Sequence, residues 1–550
     1  MAKGTCYSNS PFASRAMLLL FLVVLFPAAW SSAESAGDRI SRFRQAYRED
    51  TKKSFDILKP CDQPEIIDEL AKIYEGTFPL QPAPSKFYAD EVLKTAVGKD
   101  VLARIHDYVA SNRKPEVRKP FITGLQTLAD PSSIPVLCRE AEKESDETVL
   151  IVLVSALSVF ADKEAYEALY KLSTGQGSLT VKLQALKGLQ VANNQMTTDL
   201  LRKVFFSKAD GLIRGEAFCS LHERKDPVVE KALLKALSDR DVSVRVAAVH
   251  VAASLGRSDL EKDFISMITT SEWEIRSAAI RACGELKLVN AIEPLIKQWK
   301  REQGRIGDDI HRALLKITGK SFGADWRYWE AWFKNLDEPP TAAEKEGEYV
   351  SYHGIRTKSK NLAFVIDRSG SMSAKVTSRA DDYAGEGAVV KDDTRLGFVK
   401  AELIRVINGL PPDTIFNVIA FDTVVTPWRK QQTRATRMEK DQAIGWVNGL
   451  TPTGGTNIYD ALIEGFGRMN PGGNPNTEYA EGGPDTIFLL SDGMPGSGTI
   501  TNTKDILTAI ASLNRIRQVT IHTFGVGKGC EGFLKPLAEQ NNGVYKLIAE

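Results

Sequence analysis

From Val117 onward, apolar and polar positions recur about every 32 residues. A β-branched residue, usually followed by Arg or Lys, opens each unit at spacings of 32, 32, 32, 31 and 31 residues: Val117, Val149, Val181, Ile213, Val244 and Ile275. A run of small and apolar residues follows, and a Gly, Asp or Asn turn leads into a second amphipathic segment. Two helices per unit predict an α-solenoid whose units bury one face against each neighbour. We assign it residues 34–335; the alternative is an irregular helical bundle.

The recurring Arg or Lys has two interpretations. In the first, it is a solvated or packing residue that bridges to an Asp or Glu of the preceding loop. In the second, the basic residues form a ladder for a ligand. The repeat region ends in an aromatic segment, residues 326–333, with the sequence WRYWEAWF. Because a terminal repeat needs a cover for its exposed apolar face, we expect these aromatic side chains to form a cap. A platform for carbohydrate or peptide is the alternative.

The last third of the chain has a different pattern, in which short apolar runs alternate with helical segments. Continuous apolar runs such as 362–366, 415–421 and 486–490 are typical of strands buried on both faces of a parallel sheet. Alternation with helices predicts a doubly wound, Rossmann-like α/β domain over residues 361–550. A very short turn between 415–421 and 424–428 predicts one antiparallel edge strand. Pro339-Pro340 and a charged stretch place an interdomain linker at residues 336–360.

Polar side chains lie at the ends of three of the predicted structural elements of this domain. Asp367, Ser369 and Ser371 come directly after the first strand, Thr456 lies at a loop-to-helix junction, and Asp492 ends a second apolar strand. Carboxylate and hydroxyl oxygens suit Mg²⁺ or Mn²⁺, and no thiol or imidazole is present to favour zinc or copper. Taken alone, the D-x-S-x-S string also fits an ordinary turn with a helix-capping Asp.

With all three segments present and in order, residues 361–550 resemble the von Willebrand factor A (VWA) domain family and its metal-ion-dependent adhesion site (MIDAS). The resemblance implies that Ser369 and Ser371 coordinate a metal directly. Thr456 does so in the ligand-competent state, and Asp367 and Asp492 act largely through water. It also implies that the metal accepts an Asp or Glu side chain from a partner protein. The helical region resembles HEAT-like repeats, and similar aromatic endings follow such repeats in bacterial exported proteins.

Two polar, Gly-containing segments stand out in this domain. Residues 373–394, between the first motif and the first helix, depart from the usual short spacing of that family, and residues 470–484 are a second insertion before the strand that ends at Asp492. Both are placed to lie over the metal face. We expect them either to restrict what approaches the metal or to be disordered decoration.

Composition and charge narrow the function further. With 550 residues, 43% hydrophobic and 26% charged, the chain is an ordinary globular protein of two or more domains. Its 71 basic and 70 acidic residues leave no polybasic field for nucleic acid or anionic lipid.

The N-terminal segment predicts export. Residues 16–30 are apolar, follow Arg15 and precede the small residues 31–33, so residues 1–33 are expected to be a cleaved signal peptide. The alternative is an uncleaved segment that anchors the chain in the membrane. The expected location is the periplasm, cell surface or extracellular space. Five widely spaced cysteines remain after cleavage and are expected to be buried, not disulfide-bonded.

We expect no enzyme activity and no nucleotide binding. The six histidines show no metal-binding spacing, and His522 is expected to pack in the core. Asp422 is a spare carboxylate near the metal edge for which a turn or cap role is expected. Residues 525–529 lack the G-x-x-x-x-G-K-[ST] spacing of a phosphate loop. The sequence thus predicts an exported adhesion or scaffold protein with two recognition surfaces, the metal site and the repeats. The alternative is a non-adhesive subunit or regulator of an envelope enzyme complex, lyase-like or chelatase-like.

Overall fold

The structure is a computed structural model that describes residues 34–80, 86–112, 114–302, 304–335, 350–376, 392–467, 483–527 and 529–549. The predicted signal peptide, most of the predicted linker and the centres of both predicted insertions lie outside these ranges. Among the described residues, no helix combines the length and the apolar character needed to span a lipid bilayer. The chain divides into two compact units, one ending at Leu128 and the other beginning at Ala129.

The first unit consists of helices. A cluster of aromatic rings forms part of its core, in which the Phe43 ring packs edge-on against Phe55 and in a tilted arrangement against Phe78. The helices are α1 (Ala36–Tyr47), α2 (Thr51–Ser54), α3 (Pro64–Glu75), α4 (Lys86–Leu93), α5 (Lys99–Ser111) and α6 (Pro115–Leu128).

The second unit begins with paired helices at the predicted spacing, which confirms the helical-repeat prediction. Side-chain caps set several helix starts: Asp146, Asp162 and Asn194 each accept a hydrogen bond from a backbone N–H of the first turn. The helices are α7 (Ile134–Lys143), α8 (Glu147–Leu157), α9 (Lys163–Thr174), α10 (Leu179–Val191), α11 (Gln195–Phe205), α12 (Gly211–Glu223), α13 (Val228–Leu237), α14 (Val242–Ser254), α15 (Glu261–Met267), α16 (Trp273–Glu285), α17 (Ile292–Trp299), α18 (Ile306–Thr318) and α19 (Trp326–Phe333).

In four of the repeats the recurring basic residue forms an ion pair with the next repeat. Its partner is an acidic residue in the turn before the following long helix, and not one in the preceding loop as the sequence suggested. The pairs are Lys182–Asp210 at 2.7 Å, Arg214–Asp239 at 2.7 Å, Arg245–Glu272 at 2.8 Å and Arg276–Glu302 at 3.2 Å. Each pair joins neighbouring repeats, so the ladder helps to set their register. This accounts for the basic residues without a ligand.

Helix α19 packs against the preceding helices, as expected for a cap. Trp329 is fully buried, its ring meets Phe322 and Trp332 edge-on, and its indole N–H donates to the carbonyl of Gly323 at 3.0 Å. His311 of α18 also contacts the Trp329 ring.

The α/β region is a twisted sheet flanked by helices, as predicted. In spatial order its strands are β5 (Val425–Pro427), β4 (Ile415–Phe421), β3 (Asn361–Asp367), β7 (Thr486–Ser491), β8 (Thr520–Val526) and β9 (Tyr545–Ala549), with β6 (Thr433–Arg434) also paired to β4. The other pairs are parallel, but β5 and β6 both run antiparallel to β4, so two reversed strands replace the single one expected. The helices are α20 (Arg395–Gly409), α21 (Arg437–Asn448), α22 (Ile458–Gly465), α23 (Thr503–Arg517) and α24 (Glu531–Gln540).

Part of the predicted linker belongs to this α/β core. Strands β1 (Val350–Tyr352) and β2 (Ile355–Thr357) form a hairpin, and Tyr352 is fully buried against the rings of Phe364, Phe488 and Phe524. The α/β core therefore begins at Val350 and not at residue 361 as predicted. The difference arises because a hairpin of polar appearance contributes one large aromatic side chain, Tyr352, to the core.

The repeats and the α/β region contact each other through buried polar groups. Arg515 of α23 lies 2.9 Å from Glu216 of α12 and also pairs with Glu223. Arg305, only 2% exposed, donates to the Thr520 hydroxyl of β8 at 3.1 Å. The face of the repeats formed by α12 and α14 is thus covered by α23 of the same chain, which removes part of the repeat surface predicted to meet a second protein.

Two smaller predictions are confirmed. The five described cysteines are all free and buried: Cys61, Cys138, Cys219, Cys283 and Cys530. His522 packs its ring against Phe488 and accepts a hydrogen bond from the Val544 N–H at 3.1 Å. Burial lowers the pKa of His522 to about 4, so the imidazole is neutral.

Candidate metal centre

The predicted site lies at the carboxyl end of β3, where the strand order reverses between β4 and β7. This position is where open α/β sheets commonly bind ligands. Asp367 is the last residue of β3 and is fully buried. Its Oδ1 accepts from the Ser369 N–H at 2.7 Å, and its Oδ2 accepts from the Ser491 hydroxyl at the end of β7. The carboxylate is thereby fixed in orientation by two neighbouring strand ends.

A chain of hydrogen bonds joins three of the five predicted residues. The hydroxyls of Ser369 and Ser371 are 3.0 Å apart, and the Ser371 hydroxyl donates to Asp492 Oδ1 at 2.7 Å. Ser369 is buried, whereas Ser371 is exposed. The oxygens therefore form a cluster with a buried side and a solvent-facing side.

Thr456 reaches the same cluster from a separate loop. The Gly370 N–H donates to the Gly454 carbonyl at 3.0 Å, which ties this loop to the loop after β3. A Cβ placed on Gly493, the residue after Asp492, would lie 3.5 Å from Thr456 Oγ1. The structure thus brings all five predicted residues to one edge of the sheet.

Burial makes the negative charge of Asp367 unfavourable. Burial raises the pKa of Asp367 to about 6, and the nearby Asp492 carboxylate adds to this rise, although hydrogen bonds from Ser369 and Ser491 oppose it. Arg395, at the start of α20, offsets part of the charge, since its Nη1 donates to Asp492 Oδ2 at 2.7 Å.

Asp422 occupies the edge of this site with a structural role. Its Oδ1 accepts from the Val424 N–H at 2.6 Å, which closes the turn between β4 and β5. Its Oδ2 lies 2.8 Å from Arg368 Nη2. The expected turn role is therefore the one seen, and the carboxylate is neutralised by its own arginine.

The residues present fit a hard divalent cation. Among the described residues, no group of three or more His, Cys, Asp and Glu side chains is placed to hold a metal, so any cation here depends on the hydroxyls together with the two carboxylates. Two carboxylates and three hydroxyls are oxygen donors of the kind that Mg²⁺ and Mn²⁺ accept, with water completing the shell. Asp367, Ser369, Ser371, Thr456 and Asp492 are the residues that would hold it.

Two residues that shape the site were not predicted from the sequence. Arg395 follows a polar segment and belongs to no motif. Its ion pair with Asp492, 97 positions later, therefore cannot be predicted from the sequence. Ser491 directly follows the apolar run 486–490 and belongs to no motif. Its position immediately before the predicted ligand Asp492 is the one signal that the sequence offers.

Comparison with known families agrees with this geometry. Residues 393–547 match the von Willebrand factor type A domain, and residues 229–307 match the HEAT repeats. The chain contains a von Willebrand factor type A domain preceded by HEAT repeats. The A domain is the α/β region, and the β1–β2 hairpin and strand β3 with Asp367 lie before the matched segment.

Similar proteins match a little over a third of the chain. Inter-alpha-trypsin inhibitor heavy chain H4 from Homo sapiens is 30% identical over 215 residues, which are 38% of this chain and 20% of that protein. Heavy chain H3 from Mesocricetus auratus is 25% identical over 223 residues, 39% of this chain and 22% of that protein. The chain thus spans about a fifth of the length of these curated relatives. A solved von Willebrand factor type A structure from Catenulispora acidiphila is 20% identical, with a TM-score of 0.26 over 36% of this chain and 40% of that one.

Proposed function

We propose that this is an exported adhesion or scaffold protein whose A domain binds an Asp or Glu side chain of a partner protein through Mg²⁺ or Mn²⁺. The observation that carries the proposal is the hydrogen-bonded chain from exposed Ser371 to buried Asp492. A cation beside these groups would meet negative charge on its protein side and solvent on the other. A ligand oxygen from a partner would approach from the solvent side.

The charge of the site supports an acidic partner. Asp367 and Asp492 formally cancel the charge of a divalent ion, and the hydroxyls of Ser369, Ser371 and Thr456 add neutral oxygens. An ion held in this way keeps an open position for a further anionic oxygen. The partly exposed guanidinium of Arg395 adds positive charge at the same edge.

We propose a binding role and not a catalytic one. A hydrolytic metal site needs a positioned base or nucleophile beside the metal. The additional charged groups identified at this edge are Arg368, Asp422 and Arg395, and their charges are engaged in ion pairs.

Export is proposed from the N-terminal pattern alone. The apolar run at residues 16–30 and the small residues that follow it are typical of a signal peptide. N-terminal sequencing of the protein from its native cells should give a chain that begins at Glu34. A chain that retains residues 16–30 would instead support the membrane-anchored alternative.

Crosslinking mass spectrometry on the full chain tests the binding proposal. The protein is incubated with the exported fraction of its native cells in Mg²⁺ or in EDTA, then crosslinked. We expect a partner joined near the Asp367 loop in Mg²⁺, lost in EDTA and in Asp367→Ala, and retained in Arg437→Gln, an exposed change outside the metal site. Crosslinks that persist in EDTA or in Asp367→Ala would contradict the proposal.

A further inference from the structure

A second polar cleft lies between the repeats and the A domain. Its volume is about 720 Å³, and its walls come from α14, α16 and α18 on one side and from α23 and the end of α24 on the other. None of the five metal-site residues lines it. The size suits a small molecule or a short segment of chain.

One wall of the cleft holds an unusual concentration of arginines. Three guanidinium groups surround the single buried carboxylate of Asp309: Arg312 at 2.6 Å, Arg305 at 3.1 Å and Arg281 at 3.4 Å. Asp308 and Asp485 also lie near this group, but burial raises the pKa of both carboxyls and so favours their uncharged forms. Asp309 by itself neutralises only one of the three guanidinium groups. Arg281 and Arg312 line the cleft, so the uncompensated charge is at its surface.

Arg281 also has donors to spare. Its Nη2 donates to Asp309. Its buried Nε–H donates to no acceptor in the part of the chain that the structure describes. Burial and the neighbouring Arg305 and Arg312 lower the pKa of Arg281 to about 10. The Asp309 carboxylate raises the pKa of Arg281 but only partly offsets this lowering, as expected where positive charge is in excess.

Two lysines add further positive charge, one on each wall of the cleft. Lys504 of α23 and Lys316 of α18 are both exposed, and neither forms a salt bridge with a described residue. In all, the lining contains five Lys or Arg side chains and three carboxylates. Two of those carboxylates, Asp309 and Glu223, already pair with arginines. His250 adds no charge, since burial lowers its pKa to about 4.

We propose that this cleft binds a small oxyanion with two or more negative charges, a polycarboxylate or a phosphate compound. Guanidinium groups bind both kinds of oxyanion through paired, charge-assisted hydrogen bonds. One anionic group would lie against Arg281 and Arg312, and the second would reach toward Lys504 across the cleft. Because the cations come from both domains, the bound anion would also strengthen the contact between the repeats and the A domain.

Isothermal titration with citrate and with pyrophosphate tests this site. The full chain is first stripped of metal on a chelating resin, so that neither a bound cation nor dissolved chelator competes. We expect saturable binding of at least one probe, weakened by salt because the contacts are ionic. Binding of citrate alone identifies a polycarboxylate site, pyrophosphate alone a phosphate site, and both a general oxyanion site.

Matched variants locate the binding. Arg281→Gln and Lys504→Gln should each weaken the probe by about tenfold or more, since each removes a charged hydrogen-bond donor. Arg257→Gln, a change at an outer turn of the repeats that does not line the cleft, should leave affinity unchanged. If Arg281→Gln fails to fold, the test rests on Lys504→Gln, which changes an exposed residue. The proposal is overturned if neither probe binds, or if Lys504→Gln binds as tightly as the wild type.

Discussion

Arg395 Nη1 lies 2.7 Å from Asp492 Oδ2, and the side chain of Asp492 is completely buried. The guanidinium group of Arg395 therefore places a positive charge beside a carboxylate that would help to bind a metal ion. The other oxygen of the same carboxylate accepts from Ser371. Arg395 stabilises the site without metal and repels a divalent ion that binds beside it.

Arg395→Gln should separate these two effects. Without metal, Asp492 loses a charged partner, and we expect the free energy of unfolding to fall by about 2 kcal/mol. With repulsion relieved, the Mg²⁺ affinity should rise about tenfold, equivalent to about 1 to 2 kcal/mol. Urea unfolding in Mg²⁺ and after metal removal, with Mg²⁺ titration, measures both. Arg437→Gln is the control, and a lower Mg²⁺ affinity in Arg395→Gln would exclude the competition.

Thr456→Ala should affect the partner more than the metal. Its hydroxyl reaches the site from a loop tied on by Gly454 and not from the strand end itself. If Thr456 coordinates chiefly in the ligand-bound state, the variant keeps most of its Mg²⁺ affinity and loses partner crosslinks. Equal losses in titration and crosslinking would reject that role.

Glu216 should make stability depend on pH. The carboxylate is buried, its Oε1 has no hydrogen-bond partner among the described residues, and burial raises its pKa to about 7 despite Arg515. The folded state then binds a proton more tightly than the unfolded state, whose pKa is about 4.5. The resulting stability is fully present below pH 4.5 and is lost as pH rises through about 7.

Glu216→Gln isolates this contribution. As pH rises from 4.5 through 7, the wild type should lose up to about 3 kcal/mol relative to the variant, with little further change above about pH 8. Urea unfolding at several pH values gives the difference. A difference that does not vary with pH would show that Arg515 keeps the carboxylate ionised throughout.

Trp329→Ala tests the aromatic cap of the repeats. The side chain is fully buried against Phe322 and Trp332, so its removal should cost about 3 to 5 kcal/mol. Tyr328→Ala, at a ring that is 48% exposed, should cost far less. Calorimetry on both variants makes the comparison, and similar small losses in the two would argue for a surface platform.

Local patterns predicted much of the fold. The apolar runs that became β3, β4, β7 and β8 are buried along their whole length, and such strands can be read without knowing their neighbours. The site residues follow from the same logic. Asp367 ends β3 and Asp492 directly follows β7, which runs parallel to β3, so both side chains lie at the same edge of the sheet.

Contacts between distant segments were not predictable in this way. Tyr352 belongs to a polar hairpin, yet three core rings surround it. Arg515 looks like an ordinary basic residue near a helix end, yet it joins the A domain to the repeats. Such partners are selected by tertiary packing, which neither periodicity nor spacing encodes.

Mg²⁺ titration into the metal-free full chain and its Asp367→Ala variant tests the central claim most directly. The account predicts one Mg²⁺ site in the wild type and none in the variant, with the same circular dichroism spectrum, because Asp367 lies at the end of its strand. An Asp367→Ala protein that binds Mg²⁺ with the wild-type affinity would contradict the metal centre, and with it the proposed capture of an acidic partner.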